Sequence, residues 1–163
     1  MLPLRYIGYA VVLEEVPDEI SLAFNISGCP HRCEGCHSQH LWKYEGILLS
    51  KDIESVIDKY KDYISCVCFM GGDQNIEELF QLCLLVKSKY DLKTCIYSGR
   101  DISEIDLFRD LVISGYLDYL KIGRYEKDLG GLNKPTTNQK MYQISNCNIE
   151  DITHIFWRKE NGR

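Results

Sequence analysis

Apolar and polar positions fall into blocks along the chain, and most blocks have the length and period of a strand or a helix. Tyr6–Leu13 is apolar and β-branched enough for a strand. Ser21–Ser27 (SLAFNIS) alternates, predicts a second strand and runs straight into Gly28-Cys29-Pro30. Ser50 is placed to cap a helix reaching Lys61, with Ile53, Val56, Ile57 and Tyr60 on one face. Cys66–Met70 (CVCFM) is short and wholly apolar, as a strand buried on both sides should be, and it stops at Gly71-Gly72-Asp73. Asn75 opens a helix to Lys89, with Glu78 placed as in a capping box and Leu79, Leu82, Cys83, Leu85 and Val86 as its apolar face. Lys93–Tyr97 predicts the next strand, ending at Ser98-Gly99, and Ile105–Ile113 a third helix closed by Gly115. Tyr119–Ile122 predicts a strand ending at Gly123. A long polar loop, Arg124–Thr137, then leads on to a last strand over Ile152–Trp157.

Strand and helix alternate through the middle of the chain, which argues for parallel α/β architecture. Predicted strands end at glycine four times, at Gly28, Gly71–Gly72, Gly99 and Gly123. In such folds the ligand sits at the carboxyl edge of the strands. About four or five βα units are too few for a complete eight-stranded barrel. The expectation is therefore an open, partial (βα) barrel with mostly parallel strands. No repeat, low-complexity tract or linker divides the chain, so one domain over residues 1–163 is expected.

Composition narrows the function. With 163 residues, 45% apolar and 26% charged, the chain can bury a core and reads as an ordinary globular protein. A net charge of −5 and a pI near 5.4 leave no basic footprint, so nucleic acid is not expected as a partner. Apolar runs such as Leu82–Val86 fall far short of the roughly 20 residues a membrane span needs. Glu14 and Glu15 interrupt the N-terminal apolar stretch and no small-residue cleavage site follows, so a cytoplasmic protein is expected. Cytosolic thiols stay reduced, so eight cysteines there do not suggest a disulfide framework. Cys66 and Cys68 share one strand face, and with Cys83 and Cys95 they read as small packing groups. Cys147, in a polar stretch, reads as a free exposed thiol.

Cys29, Cys33 and Cys36 crowd together, and three chemistries can be written for them. Zinc would take the three thiolates with His31, His37 or His40. Zinc ligands, however, usually come as two separated pairs that clip distant segments together. Covalent haem matches Cys33-Glu34-Gly35-Cys36-His37, but leaves Cys29 without a role and normally requires export. A [4Fe–4S] cluster on three thiolates leaves one iron open, as a catalytic centre requires, and Gly28, Pro30 and Gly35 suit the tight turns around it.

At these residues the chain resembles the radical S-adenosylmethionine superfamily, whose signature is C-x3-C-x2-C after the first strand. Ser27–Trp42 (SGCPHRCEGCHSQHLW) is similar, more narrowly, to the small activases of anaerobic (class III) ribonucleotide reductase. These share Gly35 before the third cysteine and Gly71-Gly72-Asp73 after the second core strand. Tyr97-Ser98-Gly99, Asp118–Gly123 and Asn138-Gln139 fall in matching order, so the resemblance spans residues 20–142. The chain departs from the family at Val16-Pro17-Asp18-Glu19, which replaces Gly-Pro-Gly, at His37, where an aromatic is frequent, and at Thr136-Thr137, which replaces Gly-Ser.

The resemblance implies a [4Fe–4S] cluster on Cys29, Cys33 and Cys36 that binds S-adenosyl-L-methionine at its open iron and cleaves it reductively. The 5′-deoxyadenosyl radical so formed would raise a glycyl radical on the glycyl-radical subunit of anaerobic ribonucleotide reductase, with an electron donor such as flavodoxin or ferredoxin. Gly71 and Gly72 would let backbone approach the methionine ammonium, and Asp73 would accept from it, against the alternative of a plain strand-to-helix turn. Gly35 and His37 would flank the adenine, with Cys36 between them, and Ser98 would meet the carboxylate or ribose. Asp118 and Lys121 resemble an Asp/Lys pair of related activases, with a surface salt bridge as the alternative. No catalytic side chain beyond the cluster ligands is implied. Competing functions are activation of another glycyl-radical enzyme, a small-molecule enzyme such as a deazaguanine synthase, and a zinc-stabilised binding module.

Overall fold

The alternating middle of the chain builds the parallel centre of a mixed sheet, and hairpin-like connections build its flanks. A computed structural model describes residues 1–157. β1 (Arg5–Val12) and β2 (Ser21–Ile26) pair antiparallel, and β3 (Ile47–Leu48) adds a short edge to β1. β4 (Cys66–Met70), β5 (Lys93–Tyr97) and β6 (Tyr119–Ile122) continue from β2 in parallel, linked through α1 (Leu49–Tyr60), α2 (Ile76–Leu85) and α3 (Arg109–Ser114). β7 (Lys140–Ser145) and β8 (Asn148–Asp151) return antiparallel, and the eight strands run β3-β1-β2-β4-β5-β6-β7-β8.

The expectation of mostly parallel strands is thereby corrected: three ladders are parallel and four antiparallel. A parallel neighbour needs a crossover of about a dozen residues or more, usually a helix, and only the segments carrying α1, α2 and α3 supply one. The strand expected over Ile152–Trp157 is a 3-10 turn, Thr153–Phe156, because the Asp151 carboxylate accepts from both the backbone and the hydroxyl of Thr153 at 2.9 and 2.5 Å. The last strands instead form the β7–β8 hairpin, turned at Asn146-Cys147 with φ of 49° and 64°, the primed geometry that matches strand twist.

Helix starts differ in detail. α1 begins at Leu49 with no side-chain cap, so Ser50 lies inside it. Asn75 does cap α2, its Oδ1 accepting from Glu78 N, while the Glu78 carboxylate accepts from Asn75 Nδ2 and from Leu4 N and so pins the N-terminal segment. The third predicted helix splits into a 3-10 stretch, Ile102–Phe108, capped by Asp101 and Glu104, and α3, which ends at Gly115 in the left-handed conformation.

Two cores follow from the pleat. Leu22, Phe24, Val67, Phe69, Ile96 and Leu120 pack against the helices through Ile53, Ile57, Leu79, Leu82 and Leu111. On the other face Ala23, Cys66, Cys68, Cys95, Tyr119 and Met141 are covered not by helices but by Val12, Val16, Leu132, Ile152 and Phe156. No helix among the described residues is long and apolar enough to cross a membrane.

Candidate iron–sulfur site

The cysteine segment leaves β2 at its carboxyl end and closes on itself, since Gly28 N and Cys29 N both donate to Leu41 O, at 2.7 and 3.1 Å. Within it the backbone turns left-handed at Gly28 (φ 79°), Arg32 (48°) and Gly35 (75°). Glycine takes such angles freely; Arg32 does so with its guanidinium 6.0 Å over the Trp42 ring. The resulting coil buries Cys33 and half-buries Cys29 and Cys36. Cys36 N donates to Cys33 O at 3.2 Å and Ser38 N to the Cys36 sulfur at 3.3 Å. Burial pushes the Cys29 thiol up, against the opposing influence of the nearby His31 and Arg32 backbone.

The coil is fastened to the ends of the parallel strands. His31 Nε2 donates to Asp73 Oδ2 at 2.8 Å, beyond β4, and the Ser98 hydroxyl, beyond β5, donates to the same oxygen at 2.6 Å. Arg100 Nη2 donates to Asp73 O, and Arg124 Nη2, beyond β6, to His31 O. Asp73 is only 2% exposed. Burial works against its ionisation, but the hydrogen bonds from His31 and Ser98 and the charge of Arg100 hold it below the usual carboxylate range.

A cavity of about 680 Å³ opens beside the coil, lined among others by Cys36, His37, Tyr97, Lys121, Tyr125 and Gln139. Lys121, 9% exposed, donates through Nζ to Gly123 O at 2.9 Å and Ser98 O at 3.4 Å, and lies 5.9 Å over the Tyr97 ring. Burial lowers its amine to about 8, against the pull of Cys33, Asp73, Cys36 and Cys29. Lys127 and Lys134 bring two further cations to the rim from the loop after β6. Tyr125 and Lys127 lie against Gly35, where an added Cβ would come 3.4 Å from the tyrosine ring.

The residues singled out in the sequence are therefore split between two places. Cys36, His37 and Lys121 share the cavity, with Gly35 at its mouth against Tyr125. Asp73 and Ser98 lie under the coil and bond each other and His31. Gly71 donates its N–H to Tyr97 O, and Gly72 is a packing position whose Cβ would stand 3.0 Å from both Ile26 and Leu79. Asp118 is not beside Lys121: it lies at the amino end of β6, accepting from Lys87 Nζ at 2.6 Å and Thr94 N at 2.9 Å. Sequence reading passed over His31 as a clamp, Tyr97, Tyr125 and the loop lysines. Tyr97 carried a signal, since it is two residues from inward-facing Cys95 on the same strand.

The donor set fits a cluster better than a single ion. Among the described residues no three His, Cys, Asp or Glu side chains converge on one ion position, and His31 is committed to Asp73. A cubane asks for no such convergence, since each thiolate takes a different iron, and the buried ammonium of Lys121 offers charge to an anionic centre. Residues 20–145 match the family described as a 4Fe-4S single cluster domain. The chain belongs to this iron–sulfur family. Within it, 115 residues are 30% identical to the anaerobic ribonucleoside-triphosphate reductase-activating protein of Enterobacteria phage T4, covering 64% of this chain and 70% of the relative. The protein of the same name from Haemophilus influenzae is 27% identical over 110 residues, 61% of this chain and 70% of the relative. No solved structure matches the chain.

Proposed function

We propose that the chain is the activase of an anaerobic ribonucleotide reductase, with Cys29, Cys33 and Cys36 holding a [4Fe–4S] cluster whose fourth iron receives S-adenosylmethionine. The observation that carries this reading is that Cys36 and the buried Lys121 line one cavity at the carboxyl edge of β5 and β6. Membership of the iron–sulfur family and the names of the relatives support it. The chemistry supplied by the bound, reduced cluster is one-electron cleavage of the sulfonium to methionine and a 5′-deoxyadenosyl radical, which takes hydrogen from a glycine of the partner.

The chain's own residues bind, orient and exclude water. Lys121, with one N–H beyond those given to Gly123 O and Ser98 O, and Gln139 both line the cavity and suit an anionic group such as the methionine carboxylate. Tyr97, Tyr125 and His37 offer ring faces to the adenine, with Gly35 leaving room at the mouth. Gly71 turns with φ of 109°, and an added Cβ there would stand 3.5 Å from Ile26 O, so glycine suits a close backbone approach at the β4 turn. The parallel centre β2-β4-β5-β6, with its loop-covered inner face, corresponds in this reading to an open partial barrel of the radical S-adenosylmethionine type. The electron would come from a small carrier such as flavodoxin or ferredoxin.

The test is anaerobic reconstitution. About four irons per chain, a broad visible band, and 5′-deoxyadenosine released on reduction with S-adenosylmethionine are expected. Cys29→Ala, Cys33→Ala and Cys36→Ala should each abolish turnover, and retained turnover in any of them refutes the ligand assignment. Spin resonance on the reductase co-expressed with this chain should show a glycyl radical; its absence, with cleavage intact, refutes the partner.

A further inference from the structure

The mouth of the cavity carries more positive charge than the ligand proposed for it can use. Lys121, Lys127 and Lys134 line the cavity, and no Asp or Glu among the described residues does. The segment they belong to, residues 121–140, holds five of the chain's 19 Lys and Arg but two of its 24 Asp and Glu, in a chain of net charge −5. S-adenosylmethionine offers a single carboxylate, for which Lys121 suffices, and its sulfonium and ammonium leave it a cation. Lys127 and Lys134 are therefore surplus to its capture. Both are exposed, and among the described residues neither enters an ion pair. Both are also placed by glycines of positive φ. The Lys127 stem lies on Gly35, within the cysteine coil, 3.7 Å from where a Cβ would stand, and a Cβ at Gly130 would come 2.7 Å from Lys134 Cγ. Exposed Arg124 joins them, bonded to the coil at His31 O. Glu34, Glu126 and Asp128 line a separate hollow of about 380 Å³, with Tyr125 and Lys127 common to both.

The mouth is also polar throughout. Among the described residues, no large apolar side chain is exposed between residues 27 and 46 or between 115 and 148; Ile7, Ile47, Ile113 and Ile149 all fall outside these spans. A lasting complex buries an apolar centre, whereas a brief redox encounter is small, polar and steered by charge. We propose, resting on the cluster assignment above, that Arg124, Lys127 and Lys134 form the docking face of an acidic one-electron carrier protein. Docked there, the carrier's reduced centre passes one electron to the oxidised cluster and leaves oxidised by one electron. Lys127, lying on Gly35 between Cys33 and Cys36, brings the encounter to the cluster's own turn. The carboxylates of the adjoining hollow repel an acidic carrier on one flank and so orient it.

The probes are two acidic carriers, a flavodoxin and a [2Fe–2S] ferredoxin, with a reduced viologen as a small cationic donor. The variants are Lys127→Glu, Lys134→Glu and Lys51→Glu; the last makes the same change of charge at an exposed position of α1. In cluster-free protein, titration calorimetry at low and high salt reports binding of the oxidised carriers. In reconstituted protein, stopped-flow absorbance reports the rate of cluster reduction. Lys127→Glu and Lys134→Glu should each weaken carrier binding and slow reduction about tenfold at low salt, with a flatter salt dependence. Lys51→Glu should change neither by more than about twofold, and reduction by the viologen should not slow in any variant. Wild-type protein that binds neither carrier, or binding and rates that ignore both rim lysines, overturns the proposal. So does Lys51→Glu acting as strongly as the rim variants, because net charge alone then governs the encounter. Loss of the reductase's glycyl radical in the rim variants, with carrier reduction intact, also overturns it and gives the face to the reductase. If wild-type protein takes up no cluster, the ligand assignment fails, and carrier binding by the cluster-free protein still decides whether the docking face exists.

Discussion

Lys121 gives the sharpest quantitative prediction, because its burial and its usefulness pull in opposite directions. Its amine is lowered from 10.5 to about 8 by burial. At about 1.4 kcal/mol per pH unit, keeping it charged near neutrality costs the cluster-free fold about 3 kcal/mol. Lys121→Met keeps the length of the side chain and removes the charge, at the loss of the hydrogen bonds to Gly123 O and Ser98 O, together worth about 1–2 kcal/mol. The cluster-free variant should therefore be about 1–2 kcal/mol more stable than wild type at pH 7. Between pH 8 and 10.5 the folded wild type binds fewer protons than its unfolded chain, so its stability rises with pH in that window. The variant's advantage should shrink by about 3 kcal/mol and reverse by the top of the window. Urea unfolding of both proteins from pH 7 to 10.5 measures this, and taking the difference cancels the buried thiols and tyrosines that titrate in the same range. A pH-independent difference would refute the assignment of Lys121 as a buried cation. Once loaded, the same variant should bind S-adenosylmethionine more weakly.

Three further outcomes are expected. Phe24→Ala, which empties a fully buried site in contact with Tyr6, Tyr9 and Phe69, should cost about 3–5 kcal/mol in urea unfolding. Asn75→Ala removes the α2 cap and the bonds to Leu2 O and Glu78, and should lower stability by about 1–2 kcal/mol, with faster amide exchange at Glu78. Cys68→Ala, on the inner face below the cavity, should leave the iron content after reconstitution unchanged, whereas loss of iron would place a ligand where none is assigned.

What the sequence disclosed follows the physics of each segment. β4, β5 and β6 were legible to the residue, because each is a short, largely buried run, wholly apolar in β4 and interrupted by Lys93, Thr94 and Lys121 in the other two, and each is stopped by glycine or a polar turn. The β7–β8 hairpin was not, because all four residues of β8 are exposed and carry no apolar alternation, while its turn is built from Asn146 and Cys147 in place of glycine. The cysteine trio could be singled out as a candidate because its three thiols lie within one contiguous segment, which the structure folds into a single coil. The clamp beneath it was not legible: Asp73 reaches His31 across 42 positions and Ser98 across 25, and only the parallel register of β4 and β5 brings them together. Asp118 and Lys121 lie close in sequence, yet a strand separates them to opposite ends of the sheet.

The coverage of the inner face by remote segments also bears on the order of synthesis. All three thiols have been made by residue 36, yet the cavity that Cys36 shares is walled by Tyr97, Lys121, Tyr125 and Gln139, and the inner face of the sheet is covered by Leu132, Met141 and Ile152. A ribosome must add about a hundred more residues before this chamber exists, and closure over so long a contour is slow compared with local helix formation. On the proposed ligand assignment, metal supplied to the nascent chain would meet an unshielded cysteine coil, so productive loading is expected only once the segment through Ile152 has been made.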